Sequence, residues 1–232
     1  MIPFVHHQAD AAWQLAVDEY MLDNQYSCGA LRMYQWDNHS FTFGYNLSYW
    51  RTVKKLGPVF GHPIRRLTGG GLVNHQYDYT FSIVIPRSHP FYHFTAMKSY
   101  QSIHMLIQEI LKIFGVSTTM CPCSQCDGTR LPQTSVDYCF KNPVAFDLVR
   151  EKSIFQKVLG SAQKRTRKAL LFQGTLNKKA LPEVDWCFWE KLFLQTFSQE
   201  FSIDSSLQPL PSDEILKNYL LKYRSNQWNQ KR

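Results

Sequence analysis

The chain has 232 residues and a mass of 27.2 kDa, with 44% hydrophobic, 15% aromatic and only 19% charged side chains. That length suits one domain with a sizeable core, and the composition excludes a disordered tail or a coiled coil. The net charge is +8, and no apolar run approaches the roughly 18–20 residues of a membrane helix.

The first periodic pattern lies in Asp10–Asn24. Trp13, Ala16, Val17, Tyr20 and Met21 recur at helical spacing, and Asp10 is placed to cap the start. Two short strand-like runs follow, Leu31–Trp36 and Ser40–Tyr45, split by the turn signal Asp37-Asn38-His39. Next comes Arg65-Arg66-Leu67-Thr68-Gly69-Gly70-Gly71, then a β-rich run at Tyr79–Ile85 closed by Pro86. Met97–Phe114 reads as a second helix with Tyr100, Ile103, Ile107 and Ile110 on its apolar side, stopped by Gly115. Cys121–Gln133 is a loop rich in Cys, Pro and Gly.

Three further strand-like runs, Val144–Arg150, Phe155–Lys164 and Ala169–Leu176, are spaced for an antiparallel meander. Two helices end the chain: the aromatic-rich Glu183–Phe201, and Ser212–Tyr223 behind a Ser-Asp-Glu cap signature. The order predicts an α+β fold, mostly antiparallel and flanked by helices, in one domain over 1–232, with the helices of 183–223 part of it or a small appendage. The stripe Trp186, Trp189, Phe193 and Phe197 reads as core.

The charge is local. Between Arg150 and Lys179 stand nine Lys/Arg against the single acid Glu151, while the rest of the chain balances. Such a segment is either a solvated basic face or a surface for an acidic partner. The N-terminal segment Met1-Ile2-Pro3-Phe4-Val5-His6-His7 lacks the basic, apolar pattern of a signal peptide, so a cytoplasmic address is expected. In that compartment the six cysteines (28, 121, 123, 126, 139, 187) read as thiols, metal ligands or a nucleophile, not as a disulfide framework.

The triple glycine is the loudest motif. Without Cβ atoms its backbone can approach a ligand, and Arg65 and Arg66 add positive charge, which suits a phosphate, carboxylate or carbonyl oxygen. No Gly-Lys-Ser/Thr follows, so it is not a Walker A loop. The alternative is a flexible turn. His75 is placed to line the same pocket or to serve structure alone. Cys139 and Lys157 each read blandly, as a buried thiol and a surface lysine; together they suit a nucleophile and its activating cation. Cys121, Cys123 and Cys126 are weak zinc candidates, because a fourth ligand is not obvious, with Cys139 and Cys28 the candidates, and a reduced surface loop fits better. No metal is therefore expected. Asp18-Glu19 do not read as paired acids, since adjacent helix residues diverge.

Taken together these blocks resemble the lipoate and octanoate attachment family. Leu15-Ala16-Val17-Asp18-Glu19 is similar to its first-helix motif, and Leu31–Trp36 with Phe43-Gly44 to its first hairpin. Arg65–His75 is similar to its acyl-binding glycine loop. Cys139-Phe140-x-x-Pro143, Phe146-Asp147-Leu148, Lys157–Arg165 and Gln173-Gly174-Thr175-Leu176 are similar to its catalytic meander. The resemblance implies a catalytic domain like those of biotin ligases and class II aminoacyl-tRNA synthetases. The Cys-Phe-x-x-Pro and Gly160-Ser161-Ala162-Gln163 forms resemble the cysteine-dependent octanoyltransferases and lipoyl amidotransferases more than the ATP-using lipoate–protein ligases, which usually show Arg-Asn-Asp near residues 139–143.

By resemblance, Cys139 is the nucleophile and Lys157 its partner. Arg65, Arg66, Thr68, Gly69, Gly70, Gly71, His75, Gly160, Ser161 and Ala162 contact substrate. Leu72, Val73 and Tyr79–Ile85 would wall an acyl tunnel, and amides near Gly160-Ser161 or the glycine loop would hold an oxyanion. The implied donor is octanoyl–acyl carrier protein or a lipoylated H-type protein. The acceptor is an apo lipoyl domain of a 2-oxoacid dehydrogenase or the glycine-cleavage H protein. Octanoate or lipoate is the group moved, with no cofactor. The ligase alternative would need ATP and magnesium and pass through lipoyl-AMP. A third reading, a basic nucleic-acid-binding module, leaves the glycine loop without a role. Neither nucleic acid nor membrane is expected as a partner.

Overall fold

The computed structural model describes residues 2–24, 29–37, 40–57, 62–122, 143–151, 153–202 and 209–231. Its main sheet has seven strands in the order β1-β2-β6-β10-β9-β8-β7. These are β1 (Ile2–Ala9), β2 (Ala30–Trp36), β6 (Asp78–Pro86), β7 (Thr118–Met120), β8 (Leu148–Arg150), β9 (Ser153–Arg165) and β10 (Ala169–Asn177). β1 runs parallel to β2; the other neighbours are antiparallel. The mixed α+β class with a mostly antiparallel sheet is thus as expected.

A smaller sheet is ordered β4-β3-β5, from β3 (Phe41–Phe43), β4 (Ile64–Arg65) and β5 (Leu72–Asn74). This corrects the expected first hairpin. β2 has both edges occupied, by β1 and β6, so the chain after it leaves the main sheet and β3 pairs with β4 and β5 instead. A short helix, α2 (Tyr49–Leu56), capped by Ser48, covers the small sheet and was not expected. Phe41, Phe43, Tyr49, Leu56 and Leu72 form its core.

The pleat of the main sheet sorts side chains by parity. From β6, Tyr79, Phe81, Ile83 and Ile85 face one side, joined by Leu170, Phe172 and Leu176 of β10. That face is covered by α3 (Ala96–Ile113) and α4 (Trp186–Phe201), with Ile103, Ile107, Ile110, Trp189, Phe193 and Phe197 buried in it. Trp189, Phe193 and Phe197 are core as expected, and Trp186 stacks on Tyr79 at the margin. The opposite face carries Tyr34, Trp36, Val84 and Leu171 under α1 (Ala11–Asn24) and α5 (Asp213–Arg224). Asp10 caps α1 through the Trp13 amide at 2.7 Å, and Ser212 caps α5. The two C-terminal helices thus cover opposite faces, and a final turn, α6 (Asn226–Asn229), packs beside β4.

Of the run Val144–Arg150, only Leu148–Arg150 is strand. Residues 144–147 form a turn, because the Asp147 carboxylate accepts the Val144 amide at 2.7 Å and Phe146 takes φ of 68°. No helix among the described residues is long and apolar enough to cross a membrane.

Candidate active site

The second face of the sheet is where polar side chains replace apolar ones. Asp18, on the same side of α1 as Ala11, Leu15 and Leu22, is 1% exposed. Its carboxylate accepts from Tyr34 Oη at 2.8 Å, Ser82 Oγ at 2.7 Å, Gln173 Nε2 at 2.6 Å and Arg32 Nη1 at 3.2 Å. Four donors compensate the burial of this charge. Arg32 is buried too, and Gln14 accepts from it. Gln173 passes the connection on, since its Oε1 accepts from Thr68 Oγ1 at 2.6 Å. The first-helix acid therefore positions the glycine loop through one amide side chain.

That loop wraps Arg66. Arg66 Nη2 donates to the Gly69 and Gly71 carbonyls, each at 2.9 Å, and Nη1 donates to Thr42 Oγ1 at 2.6 Å. Gly70 has φ of 90°, where a side chain would be strained. Gly44 must also be glycine, because the Gly70 carbonyl lies where its Cβ would stand. His75 continues the chain of bonds. Its Nε2 lies 2.7 Å from Thr42 Oγ1 and its Nδ1 2.7 Å from Asp78 Oδ2, and the ring stacks on Trp36. The carboxylate can only accept, so Nδ1 carries the proton and Thr42 donates to Nε2. Burial, and then the Arg66 charge, push the His75 pKa well below its usual value and keep it neutral.

A pocket opens between this loop and the meander, enclosing about 470 Å³ of empty space that includes open solvent. Arg66, Thr68, Gly70, His75, Gly160, Ser161 and Ala162 from the sequence reading all line it, joined by Tyr34, Trp36, Val73, Thr80, Gln173 and Thr175. Arg65 does not. Its guanidinium turns away to the Asn229, Tyr45 and Leu47 carbonyls and holds α6 against the loop after β3. Gly69 and Gly71 reach the site only through Arg66. Of the expected acyl walls, Val73 and Thr80 line the pocket. Leu72 belongs to the small-sheet core, and Tyr79, Phe81, Ile83 and Ile85 point to the other face.

Lys157 is 2% exposed, which corrects the bland reading of a surface lysine. A β-bulge places it: Leu148 pairs with Leu159 but Val149 with Lys157, one step against two. Its Nζ meets Asp147 Oδ2 at 2.7 Å, and Asp147 is fully buried. The ammonium passes so close to Gly160 that a Cβ there would collide with Lys157 Cε and Nζ. Gly160 thus leaves room for the lysine behind the pocket wall.

Helix α3 fixes this pair, and its role was missed in the sequence. Tyr100 and His104, one turn apart, tie the turn at Phe146-Asp147 to Ser161 of β9. Tyr100 Oη donates to Asp147 Oδ1 and accepts from the Ser161 amide at 2.9 Å. His104 Nδ1 donates to the Phe146 carbonyl at 2.8 Å, which leaves Nε2 to accept from Ser161 Oγ at 2.7 Å. Burial lowers the His104 pKa to about 3, so the imidazole is neutral. The Ser161 amide is thereby committed to Tyr100 and is not a spare oxyanion donor. A histidine inside the apolar stripe of α3, and an acid inside that of α1, were the available signals for His104 and Asp18.

Cys139, Cys123 and Cys126 lie outside the described residues. Cys121 is half-buried, and burial and then Asp147 raise its thiol pKa while Lys157 lowers it. Among the described residues no group of three His, Cys, Asp or Glu is placed to hold a metal.

The sequence profile of the lipoyl protein ligase A/B catalytic domain matches residues 10–183. The octanoyltransferase LipM of Staphylococcus epidermidis is 30% identical over 171 residues, 71% of this chain and 60% of that protein. LipM of Staphylococcus aureus is 31% identical over 174 residues, 72% of this chain and 62% of that protein. The chain thus spans about three-fifths of the length of these relatives. Among solved structures, a putative lipoate protein ligase from T. acidophilum with bound lipoic acid superposes with a TM-score of 0.74 at 20% identity, covering 100% of this chain and 98% of the other. Lipoate-protein ligase A bound with ATP gives 0.71 at 19% identity, covering 99% and 97%. These likenesses speak for the fold. With three-quarters of its length matched by the profile, the chain belongs to the lipoyl protein ligase A/B catalytic-domain family.

Proposed function

We propose that residues 1–232 act as one catalytic domain that moves an octanoyl or lipoyl group onto a lysine of an acceptor lipoyl domain, through a thioester on Cys139. The observation that carries the reading is the buried Lys157–Asp147 pair, held behind Gly160 at the wall of the pocket. A cation fixed in a dry setting stabilises a nearby thiolate without solvent screening. Cys139 stands five positions before Val144, whose amide binds the same carboxylate as Lys157. The similarity to proteins named octanoyltransferase LipM supports the same chemistry.

In this reading the Cys139 thiolate attacks the donor's thioester carbonyl. The carbonyl–sulfur bond to the donor breaks, and the donor thiolate leaves and takes up a proton. The acceptor lysine, as free amine, then attacks the acyl-enzyme. It loses a proton, forms an amide and releases the Cys139 thiolate. The first exchange is nearly isoenergetic and the second runs downhill, so no cofactor is called for. With the Ser161 amide engaged, the glycine-loop amides take the oxyanion role, close to the Arg66 charge. The donor is an octanoyl–acyl carrier protein or a lipoylated H-type protein, and the acceptor a 2-oxoacid dehydrogenase lipoyl domain or the glycine-cleavage H protein.

Intact mass after incubation with octanoyl–acyl carrier protein, without ATP, tests the reading. A hydroxylamine-labile octanoyl adduct on the wild type and none on Cys139→Ser is the expected result. No adduct on either, with octanoyl- or lipoyl-AMP formed once free acid, ATP and magnesium are added, would overturn it in favour of a ligase.

A further inference from the structure

The proposed acyl transfer draws on one charge of a buried pair, and the other charge opposes it. Both stand directly behind the pocket wall. A Cβ on Gly160 would collide with Lys157 Nζ, and it would lie only 3.5 Å from Asp147 Oδ1. The ammonium favours a thiolate in the pocket, while a carboxylate at a similar distance disfavours it. Left bare, the two would largely cancel there. The half-buried Cys121 thiol feels this opposition: beyond the effect of burial, Asp147 raises its pKa and Lys157 lowers it.

The two oxygens of Asp147 are served differently. Oδ2 accepts from the Lys157 ammonium and from the Val144 amide, each at 2.7 Å. Oδ1, the oxygen nearer Gly160, accepts from the Tyr100 hydroxyl. The direction of that bond is fixed. A carboxylate only accepts, and Tyr100 Oη itself accepts from the Ser161 amide at 2.9 Å, so the phenol proton lies on Oδ1. The amide also polarises the phenol and makes it a better donor. The ring is held between neighbours, with its centroid 4.2 Å from that of His104 and 6.0 Å from that of Phe172. The hydroxyl is therefore oriented before any substrate arrives.

We infer that Tyr100 is a positioning residue for the acyl transfer. Its hydroxyl covers the pocket-side oxygen of Asp147, so that the pair presents its ammonium and not its carboxylate to the attacking thiolate. The inference rests on the proposed transfer through Cys139. The hydroxyl adds no net charge, but its dipole sets a positive end on Oδ1, in a buried setting that screens it little. His104 provides a contrast within the same helix. One turn along α3 it ties the same segments together, through the Phe146 carbonyl and Ser161 Oγ, and it hydrogen-bonds to neither Asp147 nor Lys157.

The test is the pH dependence of thiol alkylation by iodoacetamide in the full chain. It is read at Cys139 and at Cys121 by peptide mass, for wild type, Tyr100→Phe and His104→Gln. Tyr100→Phe deletes one oxygen and keeps the ring in its packing. The expected result is a midpoint raised by about half a unit to one unit at both thiols in Tyr100→Phe. Below the midpoint each thiol then reacts about three- to tenfold more slowly, and at high pH the rates converge. In His104→Gln the melting temperature falls and the midpoints stay where they are in wild type. Midpoints that are unchanged or lowered in Tyr100→Phe would overturn the inference. So would an equal rise in His104→Gln, which would make the effect one of helix packing. A rise at Cys121 alone supports the cover over Asp147 and contradicts the transfer through Cys139.

Discussion

The two faces of the main sheet are made from the same strands and differ in almost everything else. On β6, Tyr79, Phe81, Ile83 and Ile85 enter an aromatic core under α3 and α4, while Thr80 and Ser82, one residue out of phase, enter a polar network under α1. On β10, Phe172 faces the first and Gln173 the second. The first face is held by area and shape, where each contact is replaceable in kind. The second adds to its own apolar cluster a set of hydrogen bonds to buried charges, where each donor has one partner that fits. The pocket opens on the second, because positioned polar groups are what a reaction needs and an apolar core cannot provide.

Mutation separates the faces. The largest effect belongs to Asp18→Ala, which strips Arg32, Tyr34, Ser82 and Gln173 of their shared acceptor. A loss of about 3–5 kcal/mol in urea unfolding is expected, together with lost activity in whatever remains folded, because Gln173 no longer holds Thr68. Lys157→Gln keeps a donor for Asp147 but loses the charge. Acyl-enzyme formation by the folded protein at neutral pH falls about 100-fold, near 2.7 kcal/mol of barrier, and the melting temperature falls as well, because Asp147 is left buried without its cation. On the other face, Phe193→Leu trims a fully buried ring. It costs about 1–2 kcal/mol of stability and leaves the acylation rate of folded protein unchanged.

A smaller effect comes from pH. His104 is held neutral with a pKa of about 3, against about 6.5 in the unfolded chain. Below 6.5 the unfolded state takes up a proton that the folded state refuses. The His104 contribution is therefore fully present above pH 6.5 and is lost progressively as pH falls toward 3, by up to about 1.4 kcal/mol per pH unit. His75, depressed for the same reason of burial, adds in the same direction. His104→Gln should flatten the fall in unfolding free energy between pH 6 and 4 by about one proton's worth. An unaltered slope would mean that another group carries it.

How much of this was legible depended on whether the signal was local. The helices α1, α3, α4 and α5 and the strands β2, β6, β9 and β10 were readable, because each repeats its pattern over at least seven residues. The small sheet and α2 were not: β4 has two residues and β3 and β5 three each, too few for any period. The parallel pairing of β1 rests on backbone bonds to β2 that leave no mark in composition. In the site, glycines announced the loop, yet Arg65 and Arg66 look alike in sequence and turn opposite ways, one to α6 and one to the pocket. Tyr100 was read as core although its hydroxyl serves Asp147. Asp18 gives no sign in sequence of which groups it serves, because its four donors come from β2, β6 and β10, 14 to 155 positions along the chain.

The most direct measurement is the pH dependence of octanoyl transfer from a small thioester to the protein, followed by intact mass, for wild type and Lys157→Gln. If the buried ammonium stabilises the attacking thiolate, the wild-type rate rises and levels at a lower pH. The variant's profile then shifts upward by one unit or more and recovers at high pH. Two profiles that coincide in shape and midpoint would contradict the account and leave Lys157 a structural partner of Asp147.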